Sequence, residues 1–193
     1  MNYRMILRSL GRLYYIEAAC MSPSLAVSLV YGQDDFKAFI ATMVLLLAAG
    51  LVLNLVKPAN HDIHTRDGFA IVSLGWISVS FFGALPFIFS GAIPSFIDAF
   101  FETASGFTTT GASILSEVET LPKGILFWRS FTHWVGGMGV LVLALAVMPS
   151  VKASSFHIMK AESPGPDVEK LVPKLGRTAK ILYIIYFFMT AVL

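Results

Sequence analysis

Long apolar stretches separated by short polar ones dominate the chain. A helix crosses about 30 Å of hydrocarbon with about 20 mostly apolar residues. Four stretches reach that length: 13–31, interrupted by Glu17 and Pro23; 38–56, free of charge; 68–90; and 124–148. A fifth apolar run, 181–193, covers 13 residues without a polar flank and reads as a span that the chain begins but does not finish. Between the third and fourth stretches lies 94–107, too short to cross. Ser95 to Asp98 resembles a capping box with Asp98 in the place of the usual Glu, and Gly106 reads as a C-terminal stop. The pattern therefore predicts a helix of about three turns. Flanked by two full spans, it is expected to enter and leave the membrane on one face. Non-helical backbone at that depth is tolerated only inside protein or along a water-filled cavity.

Composition agrees with that pattern. Hydrophobic residues make up 56% and charged residues 13%, with a mean hydropathy of +0.74; a soluble domain carries roughly 25% charge. The sequence is too hydrophobic for disorder, and its single cysteine, Cys20, rules out an intrachain disulfide. A formal net charge of +2 is too small to imply nucleic acid or another polyanion as partner. Lys and Arg set orientation. Eleven of the 14 fall on one side: Arg4, Arg8 and Arg12, then Lys57 and Arg66, then Lys152, Lys160, Lys170, Lys174, Arg177 and Lys180. Lys37, Lys123 and Arg129 belong to the other, so the N-terminus is expected in the cytoplasm. Ala18-Ala19-Cys20 hints at a lipoprotein cleavage site, but Glu17 interrupts the apolar run only five residues after Arg12.

The chemistry sits after the short helix, at Gly106-Phe107-Thr108-Thr109-Thr110-Gly111-Ala112-Ser113. Three β-branched threonines resist helix, and the glycine that follows has freedom in φ and ψ. Such a segment suits a chain running extended through a narrow passage with its carbonyls turned one way. Rings of carbonyls replace the hydration shell of a monovalent cation, and the C-terminal end of the preceding helix favours positive charge. A different chemistry, intramembrane serine proteolysis with Ser105 as nucleophile and His133 as base, lacks the usual Gly-x-Ser-Gly frame, because position 103 is Thr. His61 and His64, at i and i+3, have no third ligand cluster and read as a solvated loop.

The stretch Asp98-Ala99-Phe100-Phe101-Glu102-Thr103-Ala104-Ser105-Gly106-Phe107-Thr108-Thr109-Thr110-Gly111-Ala112 resembles the first pore loop of the Trk/Ktr/HKT superfamily of potassium transporters. Trp128 to Gly139 is similar to the helix after that loop in the bacterial Trk branch. Ala161-Glu162-Ser163-Pro164-Gly165-Pro166, with Lys170 to Lys174 and Thr178 to Leu182, resembles that branch's link to a second repeat. The resemblance runs from about residue 65 to the end of the chain, and the helix pair before it also fits the Trk branch.

The resemblance implies an all-α integral membrane protein of the bacterial inner membrane. A helical hairpin (1–60) would precede one span–pore-helix–span repeat of a potassium-channel-like pore (61–150). A cytoplasmic linker (151–180) and the start of a second repeat (181–193) would follow. It implies four repeats around one pore, so the chain is expected to be a fragment. K+ would be the substrate, held by the backbone carbonyls of Thr109 and Thr110, with Gly111 as the filter glycine and Thr108 lining its inner end. No cofactor is implied, and no enzymatic activity. The implied partners are the lipid bilayer, a cytoplasmic nucleotide-binding Trk regulatory subunit and, for a homodimer, a second copy. The alternative of a homotetrameric two-span channel would need a closer match to Thr-Val-Gly-Tyr-Gly.

Supporting residues have two readings each. Asp98 is an N-cap partner or an ion site. Glu102 pairs with Arg129 and braces the pore helix, or stands neutral while Arg129 snorkels to the interface. If they pair, exchanging the two charges is expected to restore uptake lost in either single reversal. His133 is a packed, hydrogen-bonded histidine or a proton carrier, and Gly136, Gly137 and Gly139 permit close helix approach or a hinge.

Overall fold

A computed structural model describes residues 2–56, 65–147 and 171–192, without the side chains of 65, 140–147 and 171–180. His61, His64 and the Ser163–Pro166 turn lie outside the described residues. Six α-helices and no strand occur among them: α1 (Tyr3–Val30), α2 (Phe36–Leu55), α3 (Thr65–Phe89), α4 (Phe96–Phe107), α5 (Lys123–Val147) and α6 (Leu171–Val192). The helices Tyr3–Val30, Phe36–Leu55 and Arg66–Phe89 are long and apolar enough to cross a membrane.

Two elements begin earlier than the apolar pattern predicts. α1 starts at Tyr3 rather than 13, because the Asn2 side chain accepts the Met5 N–H (3.2 Å) and caps a first segment whose arginines spoil the hydropathy but not the helix. Its 28 residues span about 42 Å, more than the hydrocarbon thickness. α6 starts at Leu171, so ten residues expected in the linker are helical.

Pro23 does not interrupt the span. It frees the Ala19 carbonyl, and the Ser22 hydroxyl donates to that oxygen at 2.7 Å. α1 and α2 form an antiparallel hairpin crossing at Gly11 and Gly50. A Cβ at either glycine would come within 3.0 Å of the other's carbonyl oxygen, the close approach that small residues allow between membrane helices. One stripe of α2, Ile40, Val44, Leu47 and Leu51, is exposed apolar surface suited to lipid.

The hairpin is locked to the rest of the bundle at both ends. The Asn2 N–H donates to Asp67 at the start of α3 (3.0 Å), and the Gln33 side-chain oxygen accepts the Lys123 N–H at the start of α5 (2.6 Å). Between them the core holds Met21, Phe39, Leu46, Phe87, Ile125 and Trp128, all essentially inaccessible. α3 runs parallel to α1, with Tyr14 edge-on to Phe82, and α5 returns antiparallel. The short α4 is wedged between α3 and α5.

Candidate functional site

α4 begins where the sequence predicts. Ser95 is the N-cap, and its hydroxyl accepts the Asp98 N–H at 3.4 Å. Asp98 lies in the first turn, at the opposite end of α4 from the threonines, where a carboxylate favours the helix N-terminus. The other end differs from expectation. The helix runs through Gly106 to Phe107 and is capped by Thr108. Gly106 is required by packing, since a Cβ there would overlap the Thr132 side chain on α5. A glycine selected for contact and a glycine selected as a stop look alike in sequence.

The segment after α4 is not the extended strand predicted. Thr108 has φ −85° and ψ 1°. Thr109 has φ 55°, the one non-glycine residue at positive φ among those described. Its N–H bonds Gly106 O (2.9 Å) and the Thr110 N–H bonds Ser105 O (3.0 Å). These are the two bonds of a Schellman cap, with threonine in the left-handed position that glycine usually takes. A β-branched residue held there costs about 1–3 kcal/mol. The side chains contribute to holding it: Thr109 Oγ1 donates to Thr108 O (2.7 Å), and the Thr108 and Thr110 hydroxyls bond each other at 2.8 Å. Gly111 follows at φ 76°. Thr108 to Gly111 are all exposed.

Behind this turn the backbone is fixed from three sides. A Cβ at Gly83 on α3 would lie 2.7 Å from Thr103 Cγ2 and 3.0 Å from the Phe107 ring. A Cβ at Gly136 on α5 would overlap the Phe107 backbone carbonyl. Trp128, fully buried, donates its indole N–H to Gly83 O (2.9 Å) and meets the Phe107 ring edge-on. A Cβ at Gly137 would lie 2.8 Å from the Tyr186 hydroxyl of α6, and one at Gly139 would meet Trp76 of α3 at 3.4 Å, so Gly136, Gly137 and Gly139 all face packed neighbours.

Glu102 and Arg129 meet. Arg129 Nε lies 2.6 Å from Glu102 Oε1, with Glu102 1% exposed and the arginine side chain 17%. The same carboxylate accepts the Ser113 hydroxyl at 3.0 Å and the Ile114 N–H at 3.1 Å. Glu102 therefore ties α4, the chain just after Gly111 and α5 into one unit. Ser113 and Ile114 are missing from the sequence-based site because one is a common loop residue and the other acts through its backbone.

His133 hydrogen-bonds the Arg129 carbonyl through Nδ1 (3.0 Å), as does the Thr132 hydroxyl (2.7 Å). Ser105 Oγ has no hydrogen-bond partner among the described residues, so the Ser–His contact a protease would need is not formed. No cluster of three or more potential metal ligands occurs among the described residues.

Three helices long and apolar enough to cross a membrane, with a short helix held between α3 and α5 that ends in an exposed polar turn, define an all-α membrane protein. Comparison with known proteins agrees. Residues 35–193 match the family model TrkH, described as cation transport protein, and the chain belongs to that family. It is 38% identical over 193 residues to the Trk system potassium uptake protein TrkH of Halomonas elongata, covering 98% of this chain and 40% of that protein. It is 39% identical over the same length to its Escherichia coli K12 namesake, with the same coverage. The crystal structure of the potassium transporter TrkH from Vibrio parahaemolyticus matches with a TM-score of 0.79 and 34% identity, over 100% of this chain and 38% of the other. The chain thus spans about 40% of the length of the curated relatives it matches.

Proposed function

We propose that the chain supplies one filter segment of a potassium uptake pore in a bacterial inner membrane, with its N-terminus in the cytoplasm. In this reading the carbonyls of Thr109, Thr110 and Gly111 coordinate K+, and Thr108 lines the inner end. The observation that carries it is the succession Thr108 (φ −85°), Thr109 (φ 55°) and Gly111 (φ 76°) at the exposed end of a pore helix. In a strand, successive carbonyls point to opposite sides. A right-handed residue followed by a left-handed one turns the peptide N–H groups to one side and leaves the carbonyls on the other, the arrangement a dehydrated cation needs. The names of the relatives support potassium as the ion.

One segment encloses no pore. The other walls are supplied by further span–pore-helix–span units, and a cytoplasmic nucleotide-binding regulatory subunit docks on the inner loops. One charge crossing 100 mV gains about 2.3 kcal/mol, so an inside-negative membrane concentrates K+ without chemical coupling. The test is Rb+ uptake by the whole protein that carries this sequence, expressed in a cell deficient in potassium uptake. Growth at low K+ with saturable Rb+ entry is expected; expression at the membrane without rescue would overturn the reading.

A further inference from the structure

Two buried glutamates, Glu102 and Glu17, are treated in opposite ways. Glu102 is hydrogen-bonded on both oxygens. Glu17, in the middle of α1 and 4% exposed, has no partner for either oxygen among the described residues. Its surroundings are apolar. A Cβ placed on Gly83 would be 3.5 Å from Glu17 Oε1, 2.7 Å from Thr103 Cγ2 and 3.0 Å from the Phe107 ring. The carboxyl thus lies against the rear of the pore helix's last turn, one residue before the threonine turn begins. An isolated charge there is costly, and such a group binds a proton or an ion instead.

Buried polar groups recur from it toward the α1–α2 loop. Glu17, Ser24 and Ser28 stand at i, i+7 and i+11, on one face of α1, rising about 10 Å and then 6 Å. Both serines are 0% exposed, in a helix otherwise lined with apolar core. Ser24 Oγ has no partner among the described residues, although a serine within a helix ordinarily bonds a carbonyl of the preceding turn. Ser28 donates to Asp35 Oδ1, and Asp35 Oδ2 is again unpartnered and buried among the described residues. Asp35 adjoins the exposed Asp34, so these groups reach the α1–α2 loop. Hydroxyls and carboxyls both accept and pass on protons.

Other ionisable groups around Glu17 are few. On α1, Tyr14 packs on Phe82, and Cys20 is one turn along the same face. Glu102 of α4 is held by Arg129 of α5, and His133 bonds the Arg129 carbonyl. Tyr183 of α6 is within electrostatic reach of Cys20. The charge of α2, Lys37, is at the loop end, and Arg66 and Asp67 of α3 are at the opposite end. None of these is bonded to Glu17.

We propose that Glu17 is a proton-binding site behind the pore helix, reached from the α1–α2 loop through Ser28 and Ser24, and that its proton keeps the filter conducting. With the proton on, the neutral acid fits between Gly83 and Phe107. With it off, a bare charge draws in water and disturbs the packing that fixes Phe107 and hence Thr108. The inference rests on the pore reading for its consequence, though not for the proton site itself.

The experiment measures Rb+–K+ exchange by the whole protein in liposomes as outer pH is raised, for wild type and Glu17→Gln, which mimics the protonated form. Wild-type exchange is expected to fall several-fold, whereas E17Q keeps exchange and loses the fall. An E17Q variant with the wild-type pH profile, or a wild type insensitive to pH, overturns the proposal. Infrared difference spectroscopy of the same protein covers the case in which E17Q fails to assemble or the wild type carries no Rb+. A carboxylic acid C=O band is expected to vanish on raising pH and to shift in Glu17→Asp; its absence overturns the proton site. Absence of wild-type exchange with that band present counts against the pore reading alone.

Discussion

Removing Arg129 tests whether the Glu102 junction holds the Thr108–Gly111 turn, the proposed filter. Arg129→Ala leaves a carboxylate that is 1% exposed with two remaining donors, the Ser113 hydroxyl and the Ile114 N–H, and no positive charge. Stranding one member of a buried ion pair costs about 3–5 kcal/mol. Glu102→Gln is milder, because its amide oxygen still accepts from Ser113 and Ile114. The amide NH2 then takes the place of Oε1 and faces the Arg129 Nε–H donor to donor, so the whole charge-assisted bond is lost, about 1.5–3 kcal/mol. Arg129→Lys keeps the charge but not the planar guanidinium, and should fall between them. The predicted order of Rb+ uptake is therefore wild type, then E102Q and R129K, then R129A, with unfolding temperature in detergent following the same order. The Ser113 and Ile114 contacts also change the expectation for charge exchange. Arginine at 102 accepts no hydrogen bond, so Glu102→Arg with Arg129→Glu should not restore uptake. Wild-type uptake and stability in R129A, or full recovery in the double exchange, would refute the reasoning.

Other perturbations separate packing from ion contact. Gly136→Ala puts a methyl on the Phe107 backbone carbonyl; it should cost at least 1–3 kcal/mol and abolish Rb+ uptake, whereas Gly75→Ala, whose Cβ would meet only Leu13 Cδ2 at 3.3 Å, should not. Thr109→Gly accepts φ 55° without strain and should retain folding and Rb+ binding measured by isotope filtration, while Thr109→Pro, which fixes φ near −65° and deletes the N–H bonded to Gly106, should lose both. Ser95→Ala removes the α4 cap and should lower stability by about 1 kcal/mol in thermal unfolding. The Lys37 ammonium, bonded to Asp34, holds that carboxyl below its usual range. Any stability from it is present above the ordinary aspartate range and lost as pH falls through the depressed value. Because the pair is exposed, Lys37→Met should leave neutral-pH uptake unchanged.

The spans were legible because hydropathy depends only on composition over about 20 residues, and the α4 start because Ser95 caps locally. The Glu102–Arg129 pair was approachable because charges in spans are rare enough to seek each other. Three features were not legible. Thr109 is left-handed although its β-branch argues against it, since the bonds to Gly106 and Ser105 over-determine it. Gly106 acts through Thr132, a residue on another helix. The Gln33 bond to the Lys123 N–H joins positions 90 apart through a backbone donor that no side-chain pattern reveals. The early start of α6 was hidden because basic residues lower hydropathy without opposing helix.

The most direct test of the filter is to locate the ion. Crystals of the whole protein grown in Rb+ should show anomalous density against the carbonyl oxygens of Thr109, Thr110 and Gly111. The same density should be weakened or missing in Gly111→Ala, whose Cβ is strained at φ 76°. Rb+ bound elsewhere along the pore, with none at these carbonyls in a protein that still transports it, would contradict the assignment.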